Sequence, residues 1–74
     1  MLMKLKLIRA DQAHGYYLLP QKPSNPLKLA TAIIKAGPRE YYEVRDAVVS
    51  YEPGAGWVLI LPIIREEVEL IYME

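Results

Sequence analysis

Apolar and polar residues alternate with a period of two from the first residues of the chain. Within residues 1–9, Met3, Leu5 and Leu7 fall on one side, and Lys4 and Lys6 on the other. That is the pattern of a strand with one face in a core and one in water. Residues 10–15 are polar and end in Gly15, which reads as a turn or loop. Tyr16, Tyr17, Leu18 and Leu19 follow and are stopped by Pro20, so they form a hairpin partner for the first strand. Residues 21–25 hold Pro23 and Ser24 and carry no regular period.

The next segment carries helix signals. Asn25 is a suitable N-cap, and Pro26 at the first helical position loses no needed hydrogen bond. Leu27, Ala30, Ile33 and Ile34 lie at helical spacing, with Lys28, Thr31 and Lys35 together on the other side. Gly37 can terminate a helix in the left-handed conformation, and Pro38 cannot continue one. These signals predict a helix over residues 26–36.

Three strands are predicted after it, as an antiparallel meander. Residues 41–52 are rich in Val and Tyr, Pro53-Gly54-Ala55-Gly56 is a turn cluster, and residues 57–64 are continuously apolar. Arg65 and Glu66 offer a tight reversal into residues 67–73. Tyr41, Val44, Val48 and Tyr51 also sit at helical spacing, but β-branched Val44, Val48 and Val49 favour a strand. A kink near Arg45 and Asp46 reconciles its two alternation phases. The expected fold is therefore α+β: a small antiparallel sheet with one helix on a face, in the order β-β-α-β-β-β, forming a single domain over residues 1–74.

The run from Trp57 to Ile64 changes this picture, because it is apolar on both faces and one short helix covers only one. Large exposed apolar patches are rare on soluble monomers. Either the first hairpin wraps over the strand and closes a small barrel, or a second copy of the chain covers it. The second is preferred, which makes Trp57, Leu59, Leu61 and Ile63 interface candidates. Pro62, lacking an amide hydrogen, marks a bulge, an edge or the end of that strand.

Size sharpens the same question. A chain of 74 residues is near the lower limit for unaided folding, and small domains compensate with disulfides, a metal or a partner. Without cysteine and with His14 as the single imidazole, a dense core or an oligomer is left, and 53% hydrophobic content supplies material for both. No signal-peptide core interrupts the charged N-terminus, and the longest apolar run is far short of a membrane helix. A cytoplasmic protein without membrane attachment is expected.

Net charge is zero, yet it is segregated. Residues 1–39 carry seven cations against Asp11 alone, and residues 40–74 carry Arg45 and Arg65 against eight carboxylates. If the first strand lies beside the last, Lys4 and Lys6 face Glu67 and Glu69 across neighbouring strands. Otherwise the two faces meet in another copy, or the basic half contacts phosphates. Lys4, Lys6, Lys22, Lys28 and Lys35, with Tyr16 or Tyr41 as a stacking ring, are the candidate nucleic-acid residues, although the acidic half would repel the same polyanion.

Chemistry is weakly signalled. Asp11-x-x-His14 supplies too few ligands for zinc. The glycines around Ala55 lack the Lys-Ser/Thr and the following helix of a phosphate loop. Glu66, Glu67 and Glu69 have no visible pocket partner. The run from Glu43 to Glu52, with Arg65-Glu66-Glu67-Val68 after an apolar strand, resembles part of the sheet of ribosome-dependent mRNA interferase toxins. That resemblance implies a nuclease, but it spans under half the chain. Val48 or Val49 stands where the family carries a third-strand arginine, and one predicted helix stands for the family's N-terminal pair. No catalytic residue, cofactor or metal is therefore assigned. The expectation is a non-enzymatic interaction module, homodimeric and binding a protein partner, with nucleic-acid binding as the alternative.

Overall fold

A computed structural model describes residues 3–24 and 29–74 and folds the chain into a closed antiparallel barrel. Its six strands are β1 (Met3–Ala10), β2 (Gly15–Leu18), β3 (Leu29–Gly37), β4 (Glu40–Glu52), β5 (Gly56–Leu61) and β6 (Glu67–Met73). Around the barrel they run β1-β2-β5-β4-β3-β6, and β6 closes back on β1.

The expected α+β class is thereby corrected: among the described residues there is no helix. Residues predicted to be helical form β3, with Ala30, Ala32 and Ile34 buried and Leu29, Thr31, Ile33 and Lys35 turned outward. The segment satisfies both periods, since the same alanines and isoleucines make a helical stripe and a strand face. β3 has ladder partners on both sides, β4 and β6, and those non-local pairings override local helical preference. Gly37 and Pro38 end no helix but turn a hairpin. Gly37 pairs with Glu40 and leaves Pro38 and Arg39 as the turn, where proline's fixed φ suits the first central position. The proposed cap and first turn at Asn25, Pro26, Leu27 and Lys28 lie outside the described residues.

The predicted meander is half right. β4 and β5 form a hairpin through the Pro53 turn, with Gly54 and Gly56 at φ of +87° and +118°. β6 does not pair with β5. Residues 62–66 carry it away to lie between β1 and β3, where inward Val68 and Leu70 complete the core. Pro62 falls at the position where the β4–β5 ladder would continue, and it has no amide to donate.

Closure settles how the apolar strand is covered. β2 pairs with β5 from Gly15↔Leu61 to Leu18↔Val58, so the first hairpin supplies the cover. Leu59 and Leu61 are wholly buried among Tyr17, Val49, Leu5 and Leu70. The outward Val58 is also wholly buried. Its row lies between those of Arg9 and Glu52, whose side chains join across it. The Arg9 guanidinium sits 3.7 Å over the Tyr16 ring and donates from Nε and Nη2 to Glu52 Oε1 at 3.0 and 2.6 Å.

The kink in β4 is a bulge. Ala30 pairs with Ala47 and Ala32 with Val44, so Arg45 and Asp46 together oppose Thr31, and Asp46 takes a left-handed φ of 57°. The extra residue restores the inward phase. Val44 points in before the bulge, Ala47 and Val49 after it.

Candidate functional site

β4 is the element whose sequence and surroundings do not match. Among the described residues, four of the eight exposed large apolar side chains lie on it: Tyr41 (58%), Tyr42 (38%), Val48 (41%) and Tyr51 (55%). At 13 residues it is also the longest strand, more than twice the length of β5, its neighbour on one side. The ladder to β5 runs from Glu52↔Gly56 to Val48↔Ile60 and stops. Among the described residues, positions 41–44 are therefore laddered only to β3, and the bulged positions 45 and 46 to neither neighbour. Two things end the pairing: the left-handed turn of Asp46 and the missing amide of Pro62.

Beyond that point two shallow hollows, of about 330 and 450 Å³, run beside the strand. Val44, Arg45 and Asp46 line the first and Tyr42 the second, and Pro62 borders both. On the far side lie His14 and residues 63–65. The result is an open sheet edge with an apolar floor and charged neighbours, Glu43 and Arg45, projecting outward. Their side chains lie 3.5 Å apart and are well exposed.

The far wall is rigidly built. The Tyr17 phenol, wholly buried, donates to the Ile63 carbonyl at 2.5 Å and accepts from the Arg65 amide at 3.0 Å. Burial raises the Tyr17 pKa, opposed by the Arg65 amide and charge. Arg65 then reaches Glu40 at 3.2 Å. Glu40 is held below its usual carboxylate range first by the Tyr42 hydroxyl and then by Arg65. This pair ties the β5–β6 connection to the start of β4.

The Asp11 and His14 pair is a turn. Asp11 Oδ1 accepts from the amides of Ala13 and His14 at 2.8 and 2.7 Å, and these bonds lower its pKa. A carboxylate with a depressed folded-state pKa stabilises the fold above its unfolded-state value, and that contribution is lost as pH falls through the folded-state value. Asp11→Ala should therefore lower the urea midpoint at neutral pH, and the difference should close in acid below the ordinary Asp range. Equal midpoint differences at both pH values would contradict the turn's role. Among the described residues no group of three or more His, Cys, Asp or Glu side chains could hold a metal.

The candidate nucleic-acid residues do not gather. Lys4 stands opposite Glu69 and Lys6 opposite Glu67, as the sequence allowed if the first and last strands were neighbours. Lys35 opposes Glu69 from the other side. Charges segregated along the chain are thus interleaved across β1, β6 and β3. Tyr16 has its ring face occupied by Arg9, and Lys22 lies in the β2–β3 connection. Lys28 lies outside the described residues. Lys35 and Tyr41 alone come together, with Nζ 5.7 Å from the ring centroid.

Of the interface candidates, Leu59 and Leu61 belong to the barrel core and are closed to any partner. Trp57 and Ile63 are half-buried against its edge, with Trp57 edge-on to Tyr51 at 5.5 Å between centroids. The sequence reading missed Glu43 and Arg45 as surface determinants. The signals that mark them are Pro62 and the phase break in β4, which together leave their stretch of backbone unpaired.

The fold and surface define a six-stranded closed barrel with an open stretch of strand edge. No protein-family model matches the chain, and no curated protein or solved structure matches it either. The barrel, without a helix among the described residues, also departs from the helix-and-sheet arrangement that the interferase resemblance implies.

Proposed function

We propose that this barrel is a non-enzymatic interaction module of the cytoplasm, which self-associates as a homodimer and binds protein. The observation that carries the reading is the apolar surface of β4. Once closure has buried Leu59, Leu61, Val49 and Val44, the side chains of Tyr41, Tyr42, Val48 and Tyr51 still remain exposed along β4. Apolar patches of this kind mark interaction sites, and tyrosine is favoured in them. The shifts of Tyr17, Glu40 and Tyr42 belong to one set of hydrogen bonds joined through Arg65, which ties the β5–β6 connection to β4, and that of Asp11 belongs to its turn.

Light scattering on the eluting protein tests it. A mass twice the 8.5 kDa of the chain is expected, falling toward that of one chain on dilution. Tyr41→Ser with Val48→Ser should weaken association while leaving the fold intact. A single-chain mass at every concentration would remove the homodimer.

A further inference from the structure

We propose that two copies of this chain join through the open edge of β4, antiparallel and two-fold symmetric about Val44, so that one sheet runs through both barrels. The inference rests on the self-associating reading above and names its contact. It starts from the backbone. Residues 41–44 have ladder partners on the β3 side only and the bulged Arg45 and Asp46 have none, and a row of unpaired amides and carbonyls is a template for another strand. Barrels remove most such edges by closing; here the bulge at Asp46 and the proline at position 62 reopen one.

Symmetry and charge then choose the occupant and the register. In a two-fold antiparallel pair, successive residue pairs alternate in hydrogen-bonding type, so the axis must pass through a residue and not between two. Centred on Glu43 the pairing sets carboxylate against carboxylate, and centred on Arg45 it sets guanidinium against guanidinium. Centred on Tyr42 it brings Arg45 opposite Arg39. Centred on Val44 it places Glu43 opposite Arg45 of the second copy, twice over. Opposite charges facing across strands stabilise a pair and like charges disfavour it. Of the registers centred on residues 42–45, only that on Val44 sets Glu43 against Arg45; one centred on Tyr41 would oppose Glu43 to Arg39, which lies in the β3–β4 turn outside the strand. Because Glu43 and Arg45 already lie 3.5 Å apart within a chain, the two copies would form an alternating square of four charges.

A charge exchange tests the arrangement, read by sedimentation equilibrium, with urea midpoints confirming that each variant folds. Glu43→Arg and Arg45→Glu should each weaken dimerisation by about tenfold or more, because each sets like charges together. The double exchange E43R/R45E should restore it to within a few fold. An independent measurement uses the absence of native cysteine. Directly opposed residues in an antiparallel pair have Cα atoms about 4.5–5.5 Å apart, within reach of a disulfide. Val44→Cys should therefore cross-link the dimer on oxidation, and Val48→Cys should not. A dimer indifferent to both charge reversals, or unlinked by Val44→Cys, would overturn this interface and leave the module reading standing. A parent protein that never dimerises would end both.

Discussion

Leu59→Ala is expected to remove about 2–5 kcal/mol of folding stability, the usual cost of truncating a buried leucine. Leu59 is wholly enclosed, laddered between Val49 and Tyr17. A domain of 74 residues holds only about 4–11 kcal/mol in total, so the variant should lie near the edge of folding at room temperature. The urea midpoint should fall by on the order of 1–2 M. The choice of Leu59 matters because the sequence also allowed it to lie between two copies. If it did, the loss would shrink as dilution separated the copies of the parent. A core position makes the difference between variant and parent independent of protein concentration. A midpoint nearly unchanged in the variant would mean that β5 is not covered by β2 as described.

The second large effect should come from the crossing of residues 62–66 over the barrel end. A Cβ at Gly15 would stand 2.8 Å from the Ile63 carbonyl oxygen and 2.8 Å from the Tyr17 hydroxyl, closer than real side chains approach. Neither neighbour moves cheaply, since one is backbone and the other is hydrogen-bonded at 2.5 and 3.0 Å. Gly15→Ala should cost about 1–3 kcal/mol by overfilling. Tyr17→Phe should cost about 1–3 kcal/mol by stranding the Ile63 carbonyl and the Arg65 amide. Removing the hydroxyl also removes one of the contacts that the methyl group added by Gly15→Ala would strike. The double variant should therefore lose less than the sum of the two. Strict additivity in a denaturation cycle would show that Gly15 does not face the phenol. The same hydroxyl sets an alkaline limit. Its pKa is raised by burial, so its contribution is complete below the ordinary tyrosine range. It is lost as pH rises through the folded-state value.

Much of the strand structure was legible because it rests on short-range period. The alternation at Met3, Leu5 and Leu7, the first hairpin, the turn at Pro53, and the bulge at Arg45 and Asp46 all follow from two-residue periodicity and turn chemistry. β3 was not legible, because Ala30, Ile33 and Ile34 fit a helix and Ala30, Ala32 and Ile34 fit a strand. Both readings are amphipathic, and the local cost of choosing either is small. The candidate site shows the same division. Pro62 announced a strand end, yet which strand was left unpaired by that end depended on the neighbour of β5. The lysines of the first half looked like a basic surface until register set glutamates between them.

The sequence by itself determined the approximate place of every strand but β3, which of their residues share a face, and that the segment led by Trp57 needed cover on both sides. Only the tertiary structure decided that the cover is β2 of the same chain, that residues 29–37 are a strand, and that β6 closes on β1. The reason is that closure is a many-body condition. Six strands must each find two neighbours, and no window of the chain contains the information about which ones they are. A segment of ambiguous period takes the form that lets the ring close. Backbone left unpaired by the closure becomes the surface through which such a molecule meets another.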